Sequence, residues 1–334
     1  MSVAVVILNW NGRKFFELFL PQVILNTSSD AKIIIADNCS SDNSLEFVRI
    51  NYPNIEIIEN DKNYGFAEGY NKALAHVFAD YYILLNSDIE TTEGWVIPLI
   101  AFMNENKDVA ACQPKIKSYY NKEWFEYAGA AGGFIDKYGF PFCRGRIFDT
   151  LEKDEGQYDC NAEIFWATGA CLCVRSDLFW SVGGFDKDFF AHMEEIDLCW
   201  RLKRKGYKIY YICNSEVYHV GGGTLPKKNP NKTFLNFRNS LYILLKNTSS
   251  LNLLYIIPVK FILDVAAAVK FLFSSGFRDL LAIMRAHFYC YVNIFKILKK
   301  RRQLKKYEVD LLLNKSIVIE YYVKCNKYFK DIKF

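Results

Sequence analysis

The sequence predicts an α/β fold, a Rossmann-like sheet flanked by helices, with a helical extension after it. Three observations predict it. Through the first 110 residues, apolar runs of strand length alternate with helical stretches. Those runs are apolar on both faces, as strands covered by helices on two sides must be. Each run also ends in a cluster of Asn, Asp, Ser or Gly, so the polar groups gather at one edge of the sheet.

The strands follow in order as VAVVIL (3–8), KIIIAD (32–37), IEIIEN (55–60) and YYILLN (81–86). Helical stretches lie between them at 13–27, 42–51, 67–79 and 92–106. The first strand ends in Asn9-Trp10-Asn11-Gly12 and the second in Asp37-Asn38-Cys39-Ser40-Ser41-Asp42. The third leads to Asn60-Asp61-Lys62-Asn63-Tyr64-Gly65 and the fourth ends in Asn86-Ser87-Asp88. Taken singly these are turn and helix-cap residues, and Ser40, Ser41 or Asp42 suits the cap of the next helix. Taken together they describe a polar cleft with carboxylates at the carboxyl ends of parallel strands, where ligands of such sheets bind. Trp10 suits either stacking on a base or simple packing. No GxGxxG or GxxxxGK[ST] occurs, which argues against a dinucleotide fold and a P-loop.

From 111 to 190 the pattern changes to Gly-rich aromatic segments, YAGAAGGFIDKYGFPFCRGR, with short strands, and WATGACLCVRS predicts a core strand. A second substrate usually sits in such an insertion. A helix then opens in AHMEEIDLCWRLKRKG, a strand follows at YKIYYI (207–212), and EVYHVGGGT sets His219 before three glycines. The chain therefore divides into a nucleotide-binding half (1–110), an acceptor-binding half (111–232) and a helical, basic region (233–334).

Hydrophobic residues make up 51% and aromatics 16%, enough for a large core and too many for a disordered chain. Ten cysteines are scattered without a CxxC, several within apolar runs such as ACLCV. That pattern predicts reduced, buried thiols in a cytoplasmic protein rather than disulfides or a zinc site. MSVAVVILNWNG lacks a basic leading region and a cleavage site, and reads as a strand rather than a signal peptide.

The net charge of +5 conceals an asymmetry. Residues 1–250 carry 26 Lys/Arg and 31 Asp/Glu, a net of −5, whereas 251–334 carry 16 and 6, a net of +10. LNLLYIIPVKFILDVAAAVKFLF (251–273) is interrupted by Pro258, Lys260, Asp264 and Lys270, which argues against a span. Lys260, Asp264 and Lys270 lie near one side of a helix, so an amphipathic helix lying in an interface is expected. KILKKRRQLKK (296–306) holds seven basic residues in eleven. Beside apolar helices such a run suits anionic lipid head groups, although a solvated helix face has the same composition. A nucleic-acid-binding protein is the rival from another class, and no nucleic-acid partner is expected.

In the 191–206 stretch, three acids precede an amphipathic basic helix. Acids in a first turn oppose the helix dipole and need no further explanation. With a helix starting near 193, Glu194, Asp197 and Arg201 share one face, and Asp197 stands in the favourable order for an ion pair with Arg201. Glu195, Leu198, Cys199 and Leu202 share another, apolar face that should point inward. Glu195 then heads a buried stripe beside a cleft, which makes it a candidate general base.

ILNWNG, ADNCSSD, NYGFAEGYN, LLNSD, GGFDKDFFAHMEEIDLCWR and VYHVGGGT follow one another in an order and spacing that resemble family 2 inverting glycosyltransferases of the GT-A fold, most of all their bacterial rhamnosyltransferase-like branch. The resemblance covers residues 3–247 and loosens in the C-terminal helices, which match only as a membrane-proximal extension. It implies an enzyme that moves a sugar, with rhamnose as the branch's choice, from a nucleotide-diphosphate sugar to a hydroxyl of a saccharide or lipid-linked acceptor in cell-surface polysaccharide synthesis. It implies a divalent ion, Mn²⁺ or Mg²⁺, at the family's DxD position. That position reads Asn86-Ser87-Asp88 here, so Asp88 is left as the main carboxylate, and His219 matches a further ligand that suits Mn²⁺ better. Asn9, Asp37, Asn38, Asn63, Gly65, Asn71 and Asn86 fall, with Asp88, in the blocks that hold the nucleotide sugar. The family's base is the second acid of the pair, here Glu195 where many members have Asp. Trp166, Glu194, Asp197 and Arg201 are expected at the acceptor, where Glu194 and Asp197 would orient it or hold the loop through Arg201. The enzyme would work by single displacement, peripheral on the cytoplasmic face of the bacterial plasma membrane. The replaced acid at Asn86 also suits a GT-A scaffold with impaired catalysis. A nucleotidyltransferase would want a fuller glycine- and lysine-rich loop than NWNGRK.

Overall fold

The computed structural model describes residues 1–221, 229–274, 276–302, 309 and 311–334. The first half runs β1 (Val3–Asn9), α1 (Arg13–Asn26), β2 (Ala31–Asp37), α2 (Ser44–Asn51), β3 (Glu56–Glu59), α3 (Gly65–Leu74), β4 (Tyr81–Asn86), β5 (Ile89–Thr91) and α4 (Val96–Glu105). Then come β6 (Val109–Ser118), β7 (Gly133–Asp136), β8 (Pro141–Cys143), β9 (Arg146–Ile147), β10 (Thr150–Leu151), β11 (Ala162–Ile164), β12 (Cys171–Arg175), α5 (Ser176–Ser181), α6 (Glu194–Lys203) and β13 (Lys208–His219). The remainder is α7 (Pro230–Asn247), α8 (Ser250–Ser274), α9 (Phe277–Val292), α10 (Ile294–Arg302), β14 (Leu312–Leu313) and α11 (Ile317–Tyr322).

A mixed nine-stranded sheet forms the centre, in the order β11-β13-β6-β12-β4-β1-β2-β3, with β5 paired to β13. Strands β3, β2, β1 and β4 run parallel. The apolar runs read in the sequence are these strands, and their alternate residues feed two separate cores, Val6 and Leu84 on one face, Val5 and Ile83 on the other. Helix α1 buries Phe16, Phe19, Leu20 and Val23. That i, i+3, i+4, i+7 spacing is the apolar stripe a surface helix needs.

Strand β12 is antiparallel to both β4 and β6. Strand β6 was hidden in the sequence by Pro114, which breaks the usual pattern of a central strand. The β6–β12 pairing covers only Ala111 and Cys112, so Pro114 lies beyond it. Strand β13 is twelve residues long, well past the expected 207–212, and carries a register irregularity between Ile212 and Glu216. That irregularity disturbs the alternation by which the strand would have been recognised.

The expected boundary between 232 and 233 is no break in packing. Leu241, Tyr242, Ile243, Cys290, Ile297, Leu313 and Ile317 share one core with the sheet and the 111–190 region. A small sheet, β10-β9-β8-β7-β14, is completed by the tail, where Ile317 N donates to Asp136 Oδ2 at 2.9 Å.

Among the described residues no helix is long and apolar enough to cross a membrane. Helix α8 is amphipathic in the opposite sense to expectation. Of the three residues read as one polar side, Lys260 and Asp264 are 1% and 0% exposed and pair at 2.7 Å, with His287 Nε2 3.0 Å from Asp264, while Lys270 stays exposed. Burial is tolerable because each charge is paired. The outward side is apolar, with Leu254 76%, Ile262 65% and Phe273 86% exposed. Of the basic run 296–306, residues 303–306 lie outside the described residues, as do Gly222, Gly223 and Thr224 of VYHVGGGT.

Candidate active site

The sheet delivers its chemistry to the edge where β1, β2, β4 and β13 end. Asp88 follows β4 by two residues, and His219 is the last residue of β13. Strand β5 pairs with β13 so that Ile89 faces His219, and Val220 N donates to Asp88 O at 3.1 Å. The side chains then meet, His219 Nε2 lying 3.1 Å from Asp88 Oδ1. Glu126, which the sequence reading missed, stands on the other side of the ring, its Oε2 3.2 Å from His219 Nδ1. Burial alone would lower the His219 pKa, but the two carboxylates outweigh it and push it up to about 10. Burial would likewise raise Asp88 and Glu126, yet the imidazole holds both below the usual carboxylate value.

Can these residues hold a divalent ion? Among the described residues no three His, Cys, Asp or Glu side chains form a ready cage. One carboxylate oxygen and one imidazole nitrogen lie 3.1 Å apart here. That mixed set fits Mn²⁺ better than Mg²⁺, with water and substrate phosphates left to complete the shell. A glutamate behind a ligating imidazole is the usual second support. Asn86 ends β4, where its backbone N–H bonds Ala170 O at 2.9 Å.

The ends of β1 and β2 form one buried polar network. Asn9 Nδ2 donates to Asp37 Oδ1 (2.7 Å), Ser40 Oγ (3.0 Å) and Ser44 Oγ (2.9 Å), while Asn9 Oδ1 has no partner. Asp37 also accepts from Ser40 N at 2.8 Å. Asn38 Nδ2 donates to Gly65 O (2.8 Å) and Asn63 Oδ1 (3.2 Å), and Asn63 Oδ1 accepts from Gly65 N (2.8 Å). Gly65 needs to be glycine, since its φ is +72° and a Cβ would meet the Phe190 ring at 2.6 Å. Trp10 stands 45% exposed just past β1.

Asn71 departs from its expected place over the nucleoside. Its amide donates to Phe185 O (2.8 Å) and its oxygen accepts from Phe185 N (2.9 Å), so both ends of the side chain clamp a loop. Trp166 is likewise a core residue, 5% exposed, packed on Gly133 and donating to Phe134 O at 2.8 Å, and is not at an acceptor surface.

The three acids of α6 are also arranged differently from the two-face reading. Glu194 and Asp197 are 4% and 0% exposed, and Glu195 is the most accessible of the three. Helix α7 covers the Glu194–Asp197–Arg201 face, so Asp197 and Arg201 lie inside the protein and hold the loop, Arg201 Nη1 donating to Val182 O, rather than meeting an acceptor. Asp197 accepts from Arg201 Nε (2.8 Å), Lys246 Nζ (2.9 Å) and Asn247 Nδ2 (3.0 Å). Glu195 and Glu194 each keep one carboxylate oxygen without a partner. Burial drives the Glu195 carboxyl up to about 7, against backbone N–H groups that include Gly169, and burial together with the Glu195 charge drives Glu194 well above the usual range. A carboxyl near neutrality at a cleft is matched to proton transfer.

The loop that presents this helix start is strained. Phe190, His192 and Met193 have φ of 64°, 70° and 69°. Such geometry persists only where neighbours over-determine it. Here Phe190 O accepts from Phe66 N (2.8 Å) and Ala67 N (3.2 Å) of α3, and Asn239 Nδ2 of α7 donates to Ala191 O (2.9 Å) and His192 O (2.6 Å). The only sequence signal for Asn239 was a polar Asn-Phe-Arg-Asn-Ser break in an apolar helix.

With this geometry in view, the profile of the family described as glycosyl transferase family 2 matches residues 4–180, more than half of the chain. The N-acetylglucosaminyl-diphospho-decaprenol L-rhamnosyltransferase of Mycobacterium tuberculosis is 26% identical over 230 residues, 64% of this chain and 75% of that one. Rhamnosyltransferase WbbL of Escherichia coli is 27% identical over 213 residues, 61% and 79% of the two chains. Among solved structures, GalNAc-T7 with UDP, GalNAc and Mn²⁺ superposes with a TM-score of 0.58 at 16% identity, over 88% of this chain and 57% of that one. The mannosyltransferase PcManGT of Pyrobaculum calidifontis with GDP-Man and Mn²⁺ gives 0.53 at 12% identity, over 89% and 78%. At these identities the structural likeness speaks for the GT-A fold alone.

Proposed function

The chain belongs to glycosyl transferase family 2, and we propose that it transfers a sugar, rhamnose by likeness to its relatives, from a nucleotide-diphosphate donor to a hydroxyl of a lipid-linked saccharide, with inversion. One observation carries this reading: the Glu195 carboxylate accepts from Gly169 N, and the next residue, Ala170, holds Asn86 N at the end of β4, two residues before Asp88 and on the strand edge that carries the Asn9–Asp37 network. Diphosphate, nucleoside and acceptor functions need that adjacency.

Glu195 accepts the proton of the acceptor hydroxyl, whose oxygen then attacks the anomeric carbon as the nucleoside diphosphate departs. One displacement inverts the configuration and needs no enzyme nucleophile. A divalent ion held by Asp88 and His219 would neutralise the departing diphosphate as a Lewis acid. To ligate, His219 would give up its Nε2 proton, with Nδ1 held toward Glu126. The buried Asn9–Asp37–Ser40 network keeps the nucleoside end of the cleft rigid.

The apolar faces of α8 and α9, exposed at Leu254, Phe273, Met284 and Phe288 and bordered by Lys296, Lys299 and Arg301, support docking on an anionic membrane surface. Such docking would place enzyme and lipid-linked acceptor on the same plane, at the cytoplasmic face. Thermal shift of the full chain against a panel of nucleotide sugars, with and without Mn²⁺, tests the assignment. A donor that stabilises only with metal supports it, and a panel without any response overturns it.

A further inference from the structure

A second concave site lies on the flank of α6, away from Asp88, His219 and Glu195. It is a cavity of about 560 Å³ walled by the loop 181–187, the C-terminal half of α6, the end of α7 and α10. Six cations line it: Lys187, Arg201, Arg204, Lys205, Lys246 and Lys300. Asp186 is the one carboxylate among the lining residues, so the wall carries a net +5. Among the described residues, Glu68, Asp188 and Asp197 pair with the lining cations Lys187, Lys300 and Lys246. A half-enclosed wall of one sign concentrates potential and draws in counter-ions.

The partners already present do not exhaust the donors. Lys246 bridges Asp186 and Asp197 at 2.7 and 2.9 Å, and Arg201, 6% exposed, spends Nε on Asp197 and Nη1 on Val182 O while Nη2 has no partner. Lys205, at the rim, donates to the Ser181 carbonyl at 2.8 Å, a bond that leaves its charge uncompensated. Gly183, on the opposite rim, has nothing within 4 Å of the place a Cβ would take, so the mouth is open. Clustered Lys and Arg around one opening match an oxyanion with several charged oxygens better than a single carboxylate.

We propose that this cavity binds a phosphate-bearing anion, a mono- or diphosphate group held between the rim lysines Lys187 and Lys205 and the wall cations. Two sources share that chemistry, an anionic lipid head group and a soluble phosphate. Lys300 lies in α10 not far along from Phe295, 83% exposed, so the cavity is within reach of a surface on which the apolar helices dock. Because Lys246 and Arg201 also hold Asp197, an occupant would touch the helix that carries Glu195.

The test uses the full chain in EDTA, which silences metal-dependent donor binding. Inorganic pyrophosphate is titrated by thermal shift in one arm. In the other, vesicles of phosphatidylcholine with and without phosphatidylglycerol are used for co-sedimentation. The variant pair is Lys187→Gln with Lys205→Gln, both exposed rim residues whose loss leaves the core intact. A charge-matched control pair, Lys107→Gln with Lys327→Gln, lies exposed outside the cavity and off α8, α9 and α10. Selective weakening by the rim pair, at least about tenfold in affinity, supports the site. In the pyrophosphate arm alone it identifies a soluble phosphate, and in the vesicle arm, with pyrophosphate competing, a head group. Equal behaviour of rim and control pairs in both arms, or absence of binding in both, overturns the proposal. Asp88→Ala leaves the pyrophosphate response unchanged, which separates this site from the donor site.

Discussion

His219 Nε2 stands 3.1 Å from Asp88 Oδ1, although 131 residues separate the two in sequence. In the proposed metal site, with Asn86 where the family's first acid would stand, Asp88 alone would offer one carboxylate, and the imidazole would supply the second donor from the end of β13. Glu126 completes the arrangement from the inserted region.

Asp88→Ala removes the carboxylate of that pair. Stabilisation of the protein by donor plus Mn²⁺ in a thermal-shift assay should disappear, while the fold melts cooperatively. Glu126→Gln should weaken Mn²⁺ affinity by about 10–100-fold, the usual cost of losing the support of a ligating histidine. Metal titration followed by Mn²⁺ electron paramagnetic resonance checks it, and unchanged affinity would remove Glu126 from the site.

Glu195→Gln should keep donor-induced stabilisation and lower transfer by about 10²–10⁴-fold, the range for a general base. In the wild type the base must be deprotonated, so kcat/KM should rise with pH and level off above about 7. The rising limb should vanish in the variant. Normal turnover by Glu195→Gln would end the assignment.

Glu194 and Glu195 have raised carboxyl pKa values in the folded chain, so between the ordinary 4.5 and the raised values the folded state binds protons that the unfolded state has lost. Stability is therefore greatest at the low end of that window and declines as pH rises through it. Glu194→Gln should raise Tm at pH 8 by roughly 2 °C or more and leave it unchanged near pH 4.5. A drop in Tm at pH 8 would mean that the charge is compensated.

Asn239→Ala strips the support from the Ala191 and His192 carbonyls and should cost about 1–3 kcal/mol where those groups are buried. The strained loop relaxes, so kcat should fall while donor affinity holds. Steady-state kinetics alongside donor thermal shift read the two apart.

On the outer face of α8 and α9, Leu254→Ser, Phe273→Ser and Phe288→Ser together should release the chain from anionic vesicles without lowering Tm, because these side chains are exposed. Removing everything past residue 250 would be a poorer test, since α9 packs on α7 and Cys290 lies in the shared core. Retention of the triple variant on vesicles would place the docking surface elsewhere.

What was legible in the sequence was what local pattern governs. β1, β2, β3 and β4 could be read because buried parallel strands are continuous apolar runs. Their polar ends could be read because the topology of such sheets puts them on one edge. The comparisons bear out the family and the fold that the resemblance named, and Asp88, His219 and Glu195 stand as the residues proposed for the chemistry. β6 was not legible, because Pro114 breaks the signal, nor was the far half of β13, because its register shifts.

Trp166 and Asn71 were placed by resemblance alone, whereas Asp197 and Arg201 form the expected pair in an environment that could not be read. Helix periodicity gives the faces of a helix but not what covers them, and α7, some forty residues further on, buries the face of α6 that carries that pair. The same limit inverted α8, where Lys260 and Asp264 turn inward because His287 of α9 is there to meet them. By itself, then, the sequence determined the sheet, its polar edge and the chemical types available on it. The tertiary structure decided which of those groups face one another, since pairing, burial and the raised carboxyl of Glu195 depend on neighbours that no local pattern contains.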